Sequence, residues 1–384
     1  YMSFAEMVDL SSALAKRIKN DEIYRAAVVA KNPSELLTKL EQLISLIGNK
    51  NTLNEFESSG DRTICFGKIN KTPQVGFVFP GQGSQFLNMA RILIDRYSWA
   101  QEKFLIASQI LKDKFSIDLP NLLFKEYFKA ANTDELQSWE RMISQTNVSQ
   151  PLICFSSALW LEYLEKVGIQ ADTILGHSLG ELSSFYCAKA ITFEELIEIS
   201  AYRGKLMSAT AEKAGSMASL SCDITQANNI ISQISGYIAI ANINSPKQTV
   251  VSGDKSAITE AIRIAGENGI QAIQLNVSNA FHSNLVATAA SEIKNYFTNK
   301  KSTRLLQRKV ISSMNSDLLS GEIDLSEYLS KQIISQVNYV GAIQKLAQNS
   351  QIVIEVGPGS ILTNLNQVNL SDKKNSFKKS NGSA

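Results

Sequence analysis

A serine framed by two glycines has the clearest chemical potential in this sequence. Residues 176–180 spell GHSLG, which matches G-x-S-x-G, and they follow the apolar run 173–175 and precede a helical pattern. Such a serine occupies a tight strand-to-helix turn, where a side chain two residues before or after it would clash with backbone. The helix that follows directs N–H groups and the positive end of its dipole at the reacting oxygen. The pattern predicts Ser178 as a nucleophile; an ordinary loop rich in glycine and serine is the alternative.

The chain has only two histidines to serve as a general base, His177 and His282. His177 adjoins the serine, and adjacent side chains leave such a turn in different directions, so it is not placed to accept the serine proton. A single histidine is more often structural than catalytic. With a nucleophile turn upstream and no third histidine, His282 in the segment NAFHS (279–283) is nevertheless the favoured base.

Two further segments have residue types suited to binding negative charge. Residues 79–85 (FPGQGSQ) follow an apolar run, but they lack the Gly-Lys-Ser/Thr of a phosphate loop, and Phe86 replaces the third glycine of a dinucleotide loop. Backbone N–H donation to an oxyanion fits this loop better. Arg203 lies on a largely apolar helix, where a solvated or paired arginine is as plausible as a guanidinium fork for a substrate carboxylate.

The elements around these residues predict an α/β layered fold. Apolar runs at 75–79 and 173–175 are typical of strands buried on both faces of a parallel sheet, and helical patterns follow each of them. The run QIVIEV at 351–356 is expected to return to the same sheet. We therefore predict a hydrolase-like core with a parallel sheet and a nucleophile elbow, formed by residues 74–212 and 278–365.

Three segments depart from this core pattern. Residues 1–73 predict a small α/β unit, with helices at 3–19 and 33–47, a strand at 24–30 and an exposed loop at 49–61. Residues 213–277 have the order β-α-β-β-α-β, which predicts an inserted ferredoxin-like subdomain. Residues 366–384 are polar and basic, so a disordered tail is expected there.

Length, composition and charge exclude several classes of protein. The 384 residues suggest about two to three structural units, and a hydrophobic content of 44% supports a sizeable core. The net charge of +2 provides no basic field for nucleic acid or anionic lipid. No apolar run approaches the roughly 18 residues of a membrane helix, and the N-terminus lacks a signal-peptide stretch.

The cysteines and the first residue give two more expectations. Cys65, Cys154, Cys187 and Cys222 are far apart and form no C-x-x-C pair. This spacing argues against a zinc knuckle and a disulfide framework, and it predicts a reducing, cytoplasmic location. Because the chain opens on Tyr1, we expect a processed, tagged or excised piece.

Six ordered segments resemble the malonyl-CoA:acyl-carrier-protein transacylase family, in particular the acyltransferase domains of polyketide synthases. They are FVFPGQGSQ, GHSLGE, YRGKLM, NINSPKQTVVSG, VSNAFHS and EVGPG, and the resemblance spans about residues 75–364. The segment 1–73 is similar to the linker that joins ketosynthase to acyltransferase in modular synthases. The phrases NINSPKQ and VSNAFHS are closer to acyltransferases that act in trans, whereas a linker is expected mainly in integrated ones, so both arrangements stay open.

The resemblance implies a role for each matching residue. Ser178 would be the nucleophile and His282 the base, and the N–H groups of Gln82 and Leu179 would form the oxyanion hole. Arg203 would bind the malonyl carboxylate.

Four other residues match pocket positions of the family. Gln150 corresponds to a polar pocket residue, and Gln332 to the position whose backbone carbonyl orients the histidine. Phe281 would narrow the pocket against a 2-methyl branch. Asn279 stands where the family often has His or Gly, which bears on the choice of extender.

The implied function is transfer of a malonyl group from CoA to the phosphopantetheine thiol of an acyl carrier protein, in polyketide or fatty acid biosynthesis. The resemblance implies no metal and no bound cofactor, because malonyl-CoA is a substrate and the phosphopantetheine belongs to the carrier protein. Ketosynthase or other synthase domains are expected partners of the N-terminal unit. The alternatives are an acyl hydrolase that releases stalled acyl groups, a non-catalytic synthase scaffold and an unrelated serine esterase; Arg203 counts against the hydrolase, and intact Ser178 and His282 count against the scaffold.

Overall fold

The structure is a computed structural model that describes residues 2–19, 22–48, 57–68, 72–125, 133–209, 215–277 and 279–371. The chain divides between residues 73 and 74 into two units, Tyr1–Pro73 and Gln74–Ala384. This is the position at which the sequence pattern changes. All the residues with predicted chemistry lie in the second unit.

The first unit combines two helices with a small antiparallel sheet. Its elements are α1 (Phe4–Arg17), β1 (Tyr24–Val28), α2 (Pro33–Gly48), β2 (Glu57–Ser58) and β3 (Ile64–Lys68). The strands are ordered β1-β3-β2, and both pairings are antiparallel. Its apolar core is small, with Leu43, Ile64 and Phe66 buried, and α1 contributes no buried residue.

The predicted loop at 49–61 is wrong in part. Residues 57–58 form β2 and pair with β3, and neither strand was predicted. A strand of two residues is too short to show an alternating pattern in the sequence. Residues 49–56 of the predicted loop lie outside the described part of the chain.

The main sheet of the second unit takes strands from both the beginning and the end of that unit. The elements before the second sheet are β4 (Val75–Phe79), α3 (Arg91–Arg96), α4 (Ser98–Phe115), α5 (Leu119–Leu123), α6 (Thr133–Ser144), α7 (Thr146–Lys166), β5 (Thr173–Gly176), α8 (Gly180–Cys187) and α9 (Phe193–Ala209). The middle elements are β6 (Gly215–Leu220), α10 (Ile224–Ile231), β7 (Ile238–Ser245), β8 (Gln248–Asp254), α11 (Lys255–Glu267) and β9 (Ala272–Gln274). After a single 3-10 turn at Asn284–Val286 come α12 (Ala287–Tyr296), β10 (Thr303–Ile311), β11 (Leu318–Asp324), α13 (Leu325–Ile334), β12 (Val337–Asn338), α14 (Tyr339–Gln348), β13 (Ile352–Glu355) and α15 (Ile361–Asn369).

The main sheet of the described chain has the strand order β11-β10-β5-β4-β13. The pairs β10–β5, β5–β4 and β4–β13 are parallel, whereas β11 runs antiparallel to β10. The predicted return of residues 351–356 to this sheet is confirmed by the pairing of β13 with β4. Because parallel strands end at one edge, the loops after β4 and β5 lie side by side, with Phe79 paired to Gly176.

Both faces of the main sheet are covered by helices. In β4, Phe77 and Phe79 join a large apolar cluster with α4, α7, α8 and α9, while Val78 joins a smaller cluster with α14 and α15. In β5, Ile174 and Leu175 divide between the clusters in the same way. Successive strand residues point to opposite faces, so a strand covered on both sides needs the uninterrupted apolar run seen in the sequence.

A second sheet is formed by the middle of the chain. The described strands have the order β12-β7-β8-β6-β9, and the pairs β7–β8, β8–β6 and β6–β9 are antiparallel. Helices α10 and α11 cover it through an apolar cluster that includes Ala227, Ile230, Ile258 and Ile264. Strand β12, which lies outside the predicted subdomain range 213–277, pairs in parallel with β7. The second sheet therefore also takes a strand from the returning chain.

The start of the predicted tail is also corrected by the structure. Residues 366–369 continue helix α15, and Asn366 and Leu370 are buried. The hydroxyl of Tyr339 donates to the Asn366 side chain at 2.9 Å, which ties this helix to α14. The remaining part of the tail prediction, residues 372–384, lies outside the described residues.

Candidate active site

Ser178 occupies the turn between β5 and α8. Its φ of 51° lies in the left-handed region, which a non-glycine residue adopts at a cost of about 1–3 kcal/mol. A Cβ atom at Gly176 would lie 2.2 Å from the Glu181 nitrogen, and one at Gly180 would lie 2.1 Å from the Phe79 oxygen. The chain can make this turn only with glycine at both positions, as the G-x-S-x-G pattern predicts.

The serine hydroxyl and His282 are in direct contact. Ser178 Oγ lies 2.7 Å from His282 Nε2, and His282 Nδ1 lies 2.8 Å from the carbonyl oxygen of Ser335. A carbonyl oxygen only accepts hydrogen bonds, so Nδ1 carries the proton and Nε2 is the acceptor for the serine hydroxyl. This is the tautomer that a general base requires.

The loop that carries His282 is held by the end of helix α13. The N–H of His282 donates to the carbonyl of Ile333 at 3.2 Å, and the His282 backbone has a φ of 57°. Burial, together with the positive charge of Arg203, lowers the pKa of the imidazole to about 3. His282 is therefore neutral at pH 7 and can accept a proton.

The residue that orients the imidazole is Ser335 rather than Gln332. Helix α13 ends at Ile334, and the extended backbone of Ser335 turns its carbonyl away from the helix. The backbone carbonyls of Ser335 and Gln332 both raise the pKa of His282, and the Ser335 carbonyl has the larger effect. Gln332 instead contributes its side chain, whose Nε2 donates to the backbone oxygen of Ser178 at 2.8 Å.

His177 points away from the serine hydroxyl. Its Nε2 lies 2.8 Å from Asn244 Oδ1 on strand β7, and its ring centroid lies 5.2 Å from that of Tyr339. Burial lowers the pKa of His177. This histidine links the nucleophile turn to the second sheet and does not contact Ser178 Oγ.

The predicted oxyanion donors follow the ends of neighbouring strands. Gln82 comes after β4, and Leu179 precedes the first residue of α8. Neither backbone N–H has a hydrogen-bond acceptor among the described residues. A Cβ at Gly81 would lie 2.6 Å from the His177 oxygen, so the two loops approach closely. The two N–H groups lie on adjacent loops and can both donate hydrogen bonds to an oxyanion.

Arg203 is a buried cation held by two amide groups. It is 3% exposed, and its guanidinium donates to Gln150 Oε1 at 2.8 Å and to Gln332 Oε1 at 3.4 Å. No carboxylate lies within ion-pair distance of it in the part of the chain that the structure describes. Burial lowers the pKa of Arg203 to about 10, so it keeps its charge at neutral pH. A buried guanidinium with no carboxylate in direct contact is costly and favours an incoming carboxylate.

Phe281 and Asn279, in the loop that leads to His282, are buried with it. Phe281 is 6% exposed and belongs to the large apolar cluster. Asn279 is fully buried, and its side-chain oxygen accepts the N–H of Ala280 at 2.9 Å. The structure thus places Phe281 beside the histidine, while Asn279 shapes the loop that carries it.

Sequence reasoning assigned no role to Glu181 and Ser335. Glu181 was visible within the GHSLGE segment, but its burial depends on contacts with Ser313 and Tyr328, which are distant in sequence. Ser335 gives no local signal.

The main sheet is mostly parallel, and its nucleophile turn carries a serine that is hydrogen-bonded to a neutral histidine. These features define the class of serine-dependent acyl-transfer enzymes. The family model of the acyl transferase domain matches residues 76–380. The chain therefore belongs to the acyl transferase domain family. In the part of the chain that the structure describes, no helix is both long and apolar enough to cross a membrane.

Similar proteins include both discrete enzymes and segments of large synthases. The malonyl CoA-acyl carrier protein transacylase of Bacillus subtilis (strain 168) is 32% identical over 299 residues, which are 76% of this chain and 89% of that protein. The polyketide synthase GfsA of Streptomyces halstedii is 26% identical over 90% of this chain, and the match spans only 4% of the synthase. The crystal structure of the acyltransferase domain from the second module of the salinomycin polyketide synthase has a TM-score of 0.75 at 23% identity, covering 97% of this chain and 81% of that one; it shows the fold alone.

Proposed function

We propose that this acyltransferase moves a malonyl group from CoA to the phosphopantetheine thiol of an acyl carrier protein, in polyketide or fatty acid biosynthesis. The observation that carries the proposal is the Ser178–His282 pair in one site with Arg203, a buried guanidinium that has no carboxylate partner among the described residues. The malonyl name of the Bacillus relative supports the same acyl group.

The first half-reaction loads the enzyme. His282 Nε2 takes the hydroxyl proton as Ser178 Oγ attacks the thioester carbonyl, and the N–H groups of Gln82 and Leu179 donate to the oxyanion. The carbon–sulfur bond breaks, and CoA leaves as a thiol that takes the proton from His282. Arg203 holds the free carboxylate of the malonyl ester, with Gln150 and Gln332 fixing the guanidinium.

The second half-reaction transfers the group to the carrier. The phosphopantetheine thiol gives its proton to His282, and the thiolate attacks the malonyl ester of Ser178. Collapse of the oxyanion breaks the ester bond, and the serine oxygen recovers the proton from His282. His282 handles every proton in this scheme, so the proposal includes no resident metal or cofactor.

The extender preference is part of the same proposal. Phe281 lies next to the base and would leave little room for a 2-methyl branch, and Asn279 fixes the backbone of that loop. One methyl group is discriminated by only about 1–3 kcal/mol, so the preference for malonyl over methylmalonyl is expected to be moderate.

The domain roles are proposed from topology and from the extent of the matches. We assign residues 74–212 and 278–370 to a hydrolase-like acyltransferase core, and 213–277 to a ferredoxin-like subdomain, supported by the antiparallel order β7-β8-β6-β9. Residues 1–73 are assigned as a linker to a ketosynthase or another synthase domain. Matches to the two polyketide synthase proteins cover 90% and 97% of this chain, against 76% for the transacylase. A cytoplasmic location remains a prediction.

The direct test is the mass of the intact protein after incubation with malonyl-CoA. We expect one malonyl increment, its loss on adding a phosphopantetheinylated carrier protein, and no increment for Ser178→Ala. Ser184→Ala is the matched control, because that buried hydroxyl only donates to the Gly180 carbonyl within helix α8. An increment on Ser178→Ala would refute the nucleophile, and an increment that water removes without a carrier would favour the hydrolase.

A further inference from the structure

Glu181 is a buried carboxylate that none of the proposed steps uses. It lies in the first turn of α8 and is fully buried. Its Oε1 accepts hydrogen bonds from the Tyr328 hydroxyl at 2.6 Å and from the Ser313 N–H at 2.8 Å. Its Oε2 is buried with no hydrogen-bond partner among the described residues. An incompletely bonded carboxylate in this position needs a nearby positive charge to remain ionised.

That positive charge is on Arg203. The negative charge of Glu181 raises the pKa of Arg203 against the effect of burial. Gln332 and Glu181 meet at the Ser178 carbonyl oxygen, which accepts from Gln332 Nε2 at 2.8 Å and from the Glu181 N–H at 3.0 Å, and Gln332 Oε1 accepts from Arg203 at 3.4 Å. The Gln332 side chain also lowers the pKa of Glu181. Glu181, Arg203 and the nucleophile therefore share one buried polar network.

Of the titratable groups in this network, Glu181 is the one whose charge changes near neutral pH. Burial raises its pKa to about 7, although the hydrogen bonds it accepts act against this rise. From α13, Tyr328 stays neutral because burial raises its pKa well above the usual value. From α7, Cys154 stays a thiol because burial raises its pKa to about 12. Arg203 on α9 stays charged and His282 stays neutral.

We propose that Glu181 is a positioning residue that supplies the counter-charge of Arg203 in the empty site and takes up one proton when the carboxylate of the acyl group reaches Arg203. The inference rests on the proposed function, because it needs a dicarboxylic acyl group. Two carboxylates near one guanidinium leave an excess buried negative charge, and a proton from solvent on Glu181 removes it. The proton returns to solvent when the acyl group leaves for the carrier.

This coupling makes the selectivity of the enzyme depend on pH. Malonyl binds to the form with protonated Glu181, whereas acetyl has no carboxylate and is insensitive to that charge. With a pKa of about 7 for Glu181, the malonyl-to-acetyl ratio of kcat/KM should fall about tenfold from pH 6 to pH 8. A purely structural Glu181 would change both substrates together.

The test compares the wild type with Glu181→Gln, which keeps an acceptor oxygen for Tyr328 and Ser313 but cannot ionise. Each protein is loaded with malonyl-CoA or acetyl-CoA at pH 8 in weak buffer with a pH indicator, and the intact mass is recorded from the same sample. The acetyl reaction corrects for the proton balance of the released CoA thiol. The wild type should take up close to one more proton per malonyl than per acetyl group, about 0.9 at pH 8. Glu181→Gln should show no difference and a ratio independent of pH.

Three outcomes contradict the inference in different ways. Equal proton balances for malonyl and acetyl, in wild type that carries the malonyl increment, overturn the inference and leave the proposed function intact. Absence of any malonyl increment overturns the proposed function and the inference with it. If Glu181→Gln fails to fold, the wild-type series decides alone, and a malonyl-to-acetyl ratio that is constant between pH 6 and pH 8 overturns the inference.

Discussion

His282 is oriented by a backbone carbonyl, where many serine enzymes use a carboxylate. The Ser335 carbonyl fixes the proton on Nδ1, as a carboxylate does, but it adds no full negative charge to stabilise the imidazolium. Burial and the charge of Arg203 then hold the pKa of His282 at about 3.

The two histidines offer a matched pair of variants. His282→Ala should reduce malonyl loading by roughly 10²–10⁴-fold, because the proton of Ser178 then has no acceptor. His177→Ala removes a contact with Asn244 and should mainly lower thermal stability. Initial loading rates by intact mass, together with melting curves, separate the effects. A greater loss of rate in a folded His177→Ala protein would exchange the two roles.

Arg203→Ala should invert the preference between malonyl and acetyl groups. Removing one side of a buried charge-assisted pair costs about 2–5 kcal/mol, which corresponds to a loss of roughly 30-fold or more in malonyl loading. Acetyl loading should hold or improve, because losing the cation also raises the pKa of His282. The measurement is the ratio of kcat/KM for the two CoA esters. Arg263→Ala, an exposed arginine paired with Glu260 on α11, is the control that should change neither.

An equal fall of malonyl and acetyl loading would make Arg203 a structural residue and remove the case for a dicarboxylic substrate. No change in either would place its guanidinium outside the acyl site.

At the scale of elements, local sequence patterns predict the nucleophile turn well, but they do not predict which residue orients His282. The glycines at 176 and 180 act within one turn, so their spacing alone predicts the geometry of Ser178. The contact of His282 with Ser335 depends on where helix α13 ends relative to a distant loop. The same reason explains why β12 and the burial of Glu181 were missed, because their partners, β7 for the strand and Ser313 and Tyr328 for the carboxylate, lie far along the chain.

Gly180→Ala should disable the turn while leaving Ser178 and His282 in the sequence. The added methyl would lie 2.1 Å from the Phe79 oxygen and 2.9 Å from the Pro80 oxygen, so backbone must move. We expect at least a tenfold loss of malonyl loading and a lower melting temperature, because a small displacement of a nucleophile is costly. Gly266→Ala in α11 meets nothing within 4 Å and should be neutral or stabilising. Full activity in Gly180→Ala would mean that the backbone of the turn can move to accept a methyl group without displacing Ser178.

At the scale of the whole molecule, the two units have very different cores. Among its described residues, the apolar cluster of the first unit buries Leu43, Ile64 and Phe66, with Val28 partly buried against it. The second unit contains the three larger clusters. A domain with so few buried side chains has little hydrophobic stabilisation to offset chain entropy. Amides of β1 and β3 should therefore exchange with solvent faster than those of β4 and β5.

Removal of residues 1–73 should leave malonyl loading within about threefold of the full chain, a change of less than 1 kcal/mol in the barrier. Every residue proposed to act lies between Gln82 and Ser335, and the family match begins at residue 76. The Bacillus transacylase matches 76% of this chain over 89% of its own length, so we expect the truncated chain to fold. Loading of the truncated and full chains is compared by intact mass after matching their circular dichroism. A well-folded truncated protein that no longer takes up malonyl would show that the first unit contributes to the acyl site, whereas unchanged loading leaves it the role of a connector.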